Sequence, residues 1–199
     1  MARSWEWSKR KASQAIVEER DVGYLDPGIA SILERLNSLP GLATTSSCIG
    51  RVALVEGRVH WGRDEDSRIL YKTHGEVTVE EIVRVLSRGT PDVWLKATGP
   101  IMHVRARSLG CALHLLSLAR ESGFKHSGII AYSSEGGSVV ELLSAAQMAV
   151  PLVVGGSPVF SSTRQLALIA EKANMTVREG RARLARLVDQ IAGSPGSCG

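Results

Sequence analysis

Three short segments of this 199-residue chain gather side chains that can do chemistry. The densest runs Ala43-Thr-Thr-Ser-Ser-Cys-Ile-Gly-Arg51 and holds four hydroxyls, a thiol, a glycine and an arginine. Hydroxyls and bare backbone N–H groups in a glycine-containing turn grip carboxylate or phosphate oxygens, and Arg51 can add a bidentate contact. The same composition also suits a polar β-turn whose Ser and Thr satisfy their own backbone. The second segment joins Lys96 to His103, Arg105 and Arg107. Steps of two along a strand put the last three on one face, which suits a polar cleft, an RNA backbone or plain solvent. The third, Ser122-Gly-Phe-Lys-His-Ser-Gly-Ile129, sets glycines on either side of Ser127. Glycine admits close approach by a ligand backbone, or simply a tight loop. His74 follows Tyr71-Lys-Thr73 and is open to either a structural or a chemical reading, whereas His114 sits among apolar helical neighbours and reads as packing.

The elements that must position these groups are legible in the periodicity. Residues 1–20 are charged and mixed, as for a helical arm laid over a domain. Asp26-Pro27 has the form of an N-cap carboxylate with proline at the first helical position, ahead of Ile29, Ile32, Leu33 and Leu36. Residues 52–55 and 59–61 around Glu56-Gly57 read as a hairpin, and Ile69–Lys72 as a further strand. Thr78-Val-Glu-Glu81 is a capping box opening a helix that Gly89 closes. Val93–Lys96 and Ile101–Arg107 read as strands, Ser108 opens a helix that ends at Gly123, and 128–132 pairs with 139–143 as a hairpin. A strand over Val150–Val154 precedes a second capping box at Ser162–Gln165 and a helix over 162–192 that breaks near Asn174; 193–199 reads as a flexible tail. Hairpins outnumber strand–helix–strand crossovers. The expectation is therefore an α+β fold on a mixed, largely hairpin-connected sheet, in a single domain over 1–199.

Composition removes several classes of function. Hydrophobic residues make up 44% and charged residues 22%, the balance of a globular domain. No run approaches the ~18 consecutive apolar residues of a membrane helix, and the charged start is no secretory signal. An intracellular protein of the cytoplasm, without a membrane partner, is expected. Cys48, Cys111 and Cys198 are odd in number and lack CxxC spacing, which argues against a disulfide framework and a thiolate metal site. GxxxxGK[ST], GxGxxG after a strand and HExxH are all missing, so no Rossmann-type cofactor turn is expected. The net charge of +4 is concentrated. Arg164–Arg186 holds six basic and two acidic residues, and Lys96–His126 five and one. Such segments point to a polyanionic partner or to solvated basic faces.

Thr44-Thr-Ser-Ser-Cys-x-Gly-Arg51, the His-Val-x-x-Arg of 103–107 and the Ser-Gly-Phe-x-x-Ser-Gly-Ile of 122–129 together resemble the wybutosine-synthesising methyltransferase family. The resemblance spans nearly the whole chain: Gly23, Asp26, Asn37, Thr73-His74, Val150-Pro-Leu152, Asn174, Arg183 and Arg186 fit its remaining pattern. It departs where the family has Lys-x-Glu-Pro and this chain has Lys96-Ala-Thr-Gly99, and where Leu143 stands for an arginine. The resemblance implies methylation of N4 of a demethylwyosine-type base beside the anticodon of tRNA-Phe, with S-adenosylmethionine (SAM) as donor. It implies His103 and His74 as bases with Asp26 behind them, and no metal. Thr45, Ser46, Ser47, Cys48, Gly50, Ser127 and Gly128 would hold the donor. Arg51, Lys96, Arg105, Arg107, Arg183 and Arg186 would meet the anticodon loop, aided by Lys9, Arg10, Lys11 and Arg181. The alternatives are a non-catalytic tRNA-binding module, which would bind RNA in a salt-dependent way without SAM, and a small-molecule-binding regulator indifferent to RNA.

Overall fold

The computed structural model describes residues 4–21, 25, 26, 28–60 and 67–199. Gly23, Pro27 and Trp61 lie outside the described residues. The chain forms two compact units, residues 1–49, 100–145 and 181–199 in one and 50–99 and 146–180 in the other.

The first unit carries α1 (Trp5–Asp21), α2 (Ala30–Ser38), β1 (Leu42–Cys48), β5 (Ile101–Ala106), α4 (Leu109–Glu121), β6 (Gly128–Ser133) and β7 (Gly137–Leu143). Its four strands make one antiparallel sheet in the order β1-β5-β7-β6. Met102, Val104, Val140 and Leu142 alternate along β5 and β7 and are fully buried with Cys111, Leu115, Phe124, Leu184 and Leu187. The residues between them therefore face the other way. Trp5 and Ala12 of α1 cover Ala43. Gly137 closes the β6–β7 hairpin at φ 76, and a Cβ there would lie 2.1 Å from the Ala106 carbonyl oxygen, so only glycine fits.

The second unit holds β2 (Arg51–Glu56), β3 (Arg68–Thr73), α3 (Val79–Leu86), β4 (Val93–Thr98), β8 (Gln147–Val154) and β9 (Ser157–Pro158). Its antiparallel sheet runs β3-β2-β4-β8-β9, with Val52, Leu54, Leu95, Leu152, Ile82 and Leu166 in the core. Thr78 and Glu81 close a reciprocal capping box on α3, as expected. Helix α5 (Thr163–Gly193) belongs to this unit as far as residue 180 and to the first from 181.

The α+β class and the absence of a Rossmann architecture hold; the strands form two antiparallel sheets rather than one mixed sheet. Four local expectations fail for physical reasons. Helix α2 starts at Ala30, not at Asp26: its N-cap is Ile29, and the Asp26 carboxylate accepts the Ile49 N–H at 2.8 Å. Val59 and His60 make no strand, and β2 pairs with β3 and β4. Helix α5 is unbroken at Asn174, whose buried amide turns sideways to bond both backbone groups of Val77. The tail is tethered: Gly196–Cys198 form a 3-10 turn, and Cys198 is disulfide-bonded to Cys111 with a Cα separation of 4.8 Å. Cysteine spacing could not foretell a bond between residues 87 positions apart, brought together only by packing of the turn on α4.

Candidate active site

The hydroxyl-rich segment is a strand rather than a bend, and strand alternation splits its side chains. In the register of β1 and β5, Ser46 lies opposite His103 and Ser47 opposite Met102. Ser46 therefore shares the outward face with His103, whereas the Ser47 hydroxyl is buried on the other side without a partner among the described residues. A bulge between Thr44 and Ser46 sets Thr45 apart, and its hydroxyl donates to the His103 carbonyl at 3.1 Å. Thr44 is buried and exchanges two hydrogen bonds with Asn37, through its N–H and its hydroxyl, at 2.8 and 2.9 Å. That pair fixes β1 against the end of α2. The four hydroxyls thus do four different things.

The outward face of the first sheet carries a continuous hydrogen-bonded row. His103 lies opposite Glu141 of β7, and its Nε2 is 2.9 Å from the Glu141 carboxylate. The Ser46 Oγ is 2.8 Å from Nδ1 of the same ring. A carboxylate can only accept, so Nε2 carries the proton; in the neutral ring Nδ1 then accepts from the Ser46 hydroxyl. Glu141 and His103 are both about 30% exposed at the side chain (28% and 30%), and Ser46 more so. The row is held by the sheet on one side and open on the other. Arg105, two residues along β5, shares this face; it donates through Nη1 to the Gly136 carbonyl, and its buried Nε has no partner among the described residues.

Glu141 was missed in the sequence. Its signal is a single carboxylate inside the apolar run Val139–Leu143, a placement that burial makes costly unless a partner faces it.

Other expected site residues have structural occupations. Gly50 turns at φ 93, and a Cβ there would lie 2.7 Å from the Thr98 carbonyl oxygen, so the chain path requires it. Ser127 is buried and accepts the Leu143 N–H at 3.0 Å; Gly128 opens β6 beside Glu141. Arg107 falls beyond the end of β5 and is exposed, so it does not share the His103 face. Lys9 is not available to RNA: its ammonium donates to the carbonyls of Asn37, Leu39 and Leu42 at the end of α2, and burial lowers its pKa. His114 bonds the Ser194 carbonyl at 2.7 Å, a structural role as expected. Arg183 packs beside Gly123, Arg181 donates to the Ile49 carbonyl, and Arg186 is exposed. Cys48 ends β1 outside any disulfide. Arg51, Lys96 and His74 belong to the second unit, where Lys96 donates to the His60 carbonyl at 2.7 Å. No helix among the described residues is long and apolar enough to cross a membrane.

A sheet face bearing a carboxylate, an imidazole and a hydroxyl in one row, beside a partly unengaged guanidinium, has the groups needed to move a proton next to an anionic ligand. The comparisons with known proteins agree on the family of the chain. Residues 7–193 match the family model described as Methyltransferase TYW3, and the chain belongs to that family. A tRNA(Phe) 7-((3-amino-3-carboxypropyl)-4-demethylwyosine(37)-N(4))-methyltransferase of Aeropyrum pernix is 44% identical over 168 residues, which is 84% of this chain and 88% of the relative. A protein of the same description from Saccharolobus solfataricus is 31% identical over 96% of this chain and 90% of its own length. Among solved structures, a protein from Pyrococcus horikoshii superposes with a TM-score of 0.84 at 32% identity, covering 94% of this chain and 96% of its own.

Proposed function

We propose that this chain transfers a methyl group from SAM to N4 of the 7-(3-amino-3-carboxypropyl)-4-demethylwyosine base of tRNA(Phe), a step of wybutosine biosynthesis carried out in the cytoplasm. The observation that carries the reading is the Ser46–His103–Glu141 row within a chain of the TYW3 family.

SAM supplies a methyl group already activated on a sulfonium. What the reaction asks of the protein is alignment of the reacting atoms, exclusion of water and removal of one proton from the attacking nitrogen. Ser46 is the exposed end of the row and takes that proton at Oγ while its own hydroxyl proton passes to His103 Nδ1. The ring becomes an imidazolium, which the Glu141 carboxylate stabilises through Nε2–H. The departing thioether is neutral, so the one proton released ends on His103 and the charges balance. The residues also fit the donor: the partnerless Nε of Arg105 on the same face suits its carboxylate. Asp26 accepts the Ile49 N–H and so holds the chain at the end of β1.

The target base lies in a single-stranded loop, where it can be splayed out without melting a helix. The exposed Arg107 and Arg186 are available to its phosphates, so binding weakens with salt. Incubation with methyl-labelled SAM and tRNA(Phe) bearing the demethylated base should place label in the RNA. Binding of that RNA without transfer of label would instead support a non-catalytic tRNA-binding module.

A further inference from the structure

The second unit holds a cavity of about 480 Å³ that the reaction proposed above does not use. Its floor is the outward face of β2 and β4, where Arg51, Ala53 and Val55 alternate with core residues and face Thr98, Lys96 and Trp94 in register. Residues 57–60 fold over this face: the Trp94 indole donates to the Gly57 carbonyl, Lys96 donates to the His60 carbonyl, and the His60 and Trp94 rings lie 5.1 Å apart. The cavity is therefore built by tertiary bonds. Ala53, Val55, Val59 and Ile69 make one side of it apolar.

Its charges decide what it can take. Glu56 is paired with Arg68, so those two cancel. Lys96 is bonded to a neutral carbonyl, and the Arg51 guanidinium has no hydrogen bond or ion pair among the described residues. Two half-buried cations with no counter-charge paired to them among the described residues, beside an apolar wall, suit a ligand with an anionic head and a flat or apolar body. A sulfonium ligand is disfavoured there by like charge. We propose that this cavity seats one phosphate-bearing nucleotide of the RNA strand, with the phosphate on Arg51 and Lys96 and the sugar and base against Val55, Val59 and Ile69. The proposal rests on the chain acting on RNA and adds a second point of attachment in the other unit.

The probe is adenosine 5′-monophosphate, with adenosine and SAM as controls, titrated into the full-length protein and followed by backbone amide shifts. The monophosphate should perturb residues 51–56, 67–69 and 96–98, and adenosine at the same concentration should perturb them at least tenfold more weakly. Lys96→Met and Arg51→Gln, each checked for an unchanged melting temperature, should each weaken the monophosphate about tenfold, and tRNA should displace it. Equal response to adenosine, saturation by SAM at these residues, no perturbation, or failure of tRNA to compete would each overturn the assignment. A protein that methylates tRNA while its cavity ignores the monophosphate would refute this inference alone. One that binds the monophosphate there, releases it to tRNA and transfers no methyl would refute the methyltransferase reading alone.

Discussion

The Ser46–His103–Glu141 row separates chemistry from packing at single atoms. Each member is held by a strand and is partly exposed, so truncation leaves no large void in the core. His103→Ala should lower turnover about a hundredfold or more, the usual range for loss of a general base, with little change in melting temperature. Glu141→Gln keeps the size and an acceptor oxygen but removes the charge that stabilises the imidazolium. It should reduce kcat at least about tenfold, roughly 1.4 kcal/mol of barrier, and leave KM nearly unchanged. Parallel losses of turnover and stability in both variants would assign the row to packing. At this scale His103 and Ser46 were legible as candidates, because a histidine amid alternating polar residues and a run of hydroxyls are local features. Glu141 was not legible, since its place beside His103 depends on which strand becomes the neighbour of β5.

At the scale of elements, the start of α3 ties a cap to a measurable pH dependence. Thr78 accepts the Glu81 N–H, and the Glu81 carboxylate accepts the Thr78 N–H and the Tyr71 hydroxyl. Thr78→Ala should cost about 1 kcal/mol in a denaturant titration. The Tyr71 hydrogen bond, followed by the Thr78 N–H, holds Glu81 below its ordinary value of 4.5. A lowered carboxylate pKa means that the unfolded chain binds the proton more readily. The contribution is therefore complete above pH 4.5 and is lost as pH falls through the lowered value. Burial, then Glu81, raises Tyr71 above its ordinary 10.0, so its contribution is complete below pH 10 and is lost as pH rises through the raised value. Glu81→Gln should flatten the acid side of the stability profile, measured by urea melts between pH 3 and 6, as about one group's titration. The capping box itself was legible because its two partners are three residues apart; the Tyr71 bond, across a strand-to-helix connection, was not.

At the scale of the whole molecule, the Cys111–Cys198 bond closes the C-terminus onto α4 across 87 residues. In the chain-entropy account a loop of that length is worth about 4.6 kcal/mol. Cys198→Ser should lower stability by that order and abolish the effect of reductant on the melting temperature; an unchanged melt would show that the cross-link adds nothing beyond packing. The division into two units was not legible, because its boundaries fall at Gly50, Gly99 and Ala145 and inside α5. None of these is a linker in composition, and a continuous helical periodicity carries no mark of where one core gives way to another.

What the residues determined unaided are the features that depend on near neighbours: helix starts at Thr78 and Ser108, the hairpin at 133–137, the α+β class and the motif blocks that the family shares. These rest on backbone conformations and side-chain periods that a few consecutive residues settle among themselves. Tertiary structure alone decided that the hydroxyl-rich segment is a strand, that Ser46 and not Ser47 meets the imidazole, and that Lys9 is consumed by carbonyl oxygens. It also decided that a carboxylate from β7 completes the row. The Lys9 contacts turn on where α1 packs against α2 and β1; the others turn on which strand pairs with which and in what register, and a shift of one residue would have turned every side chain of β1 to the opposite face.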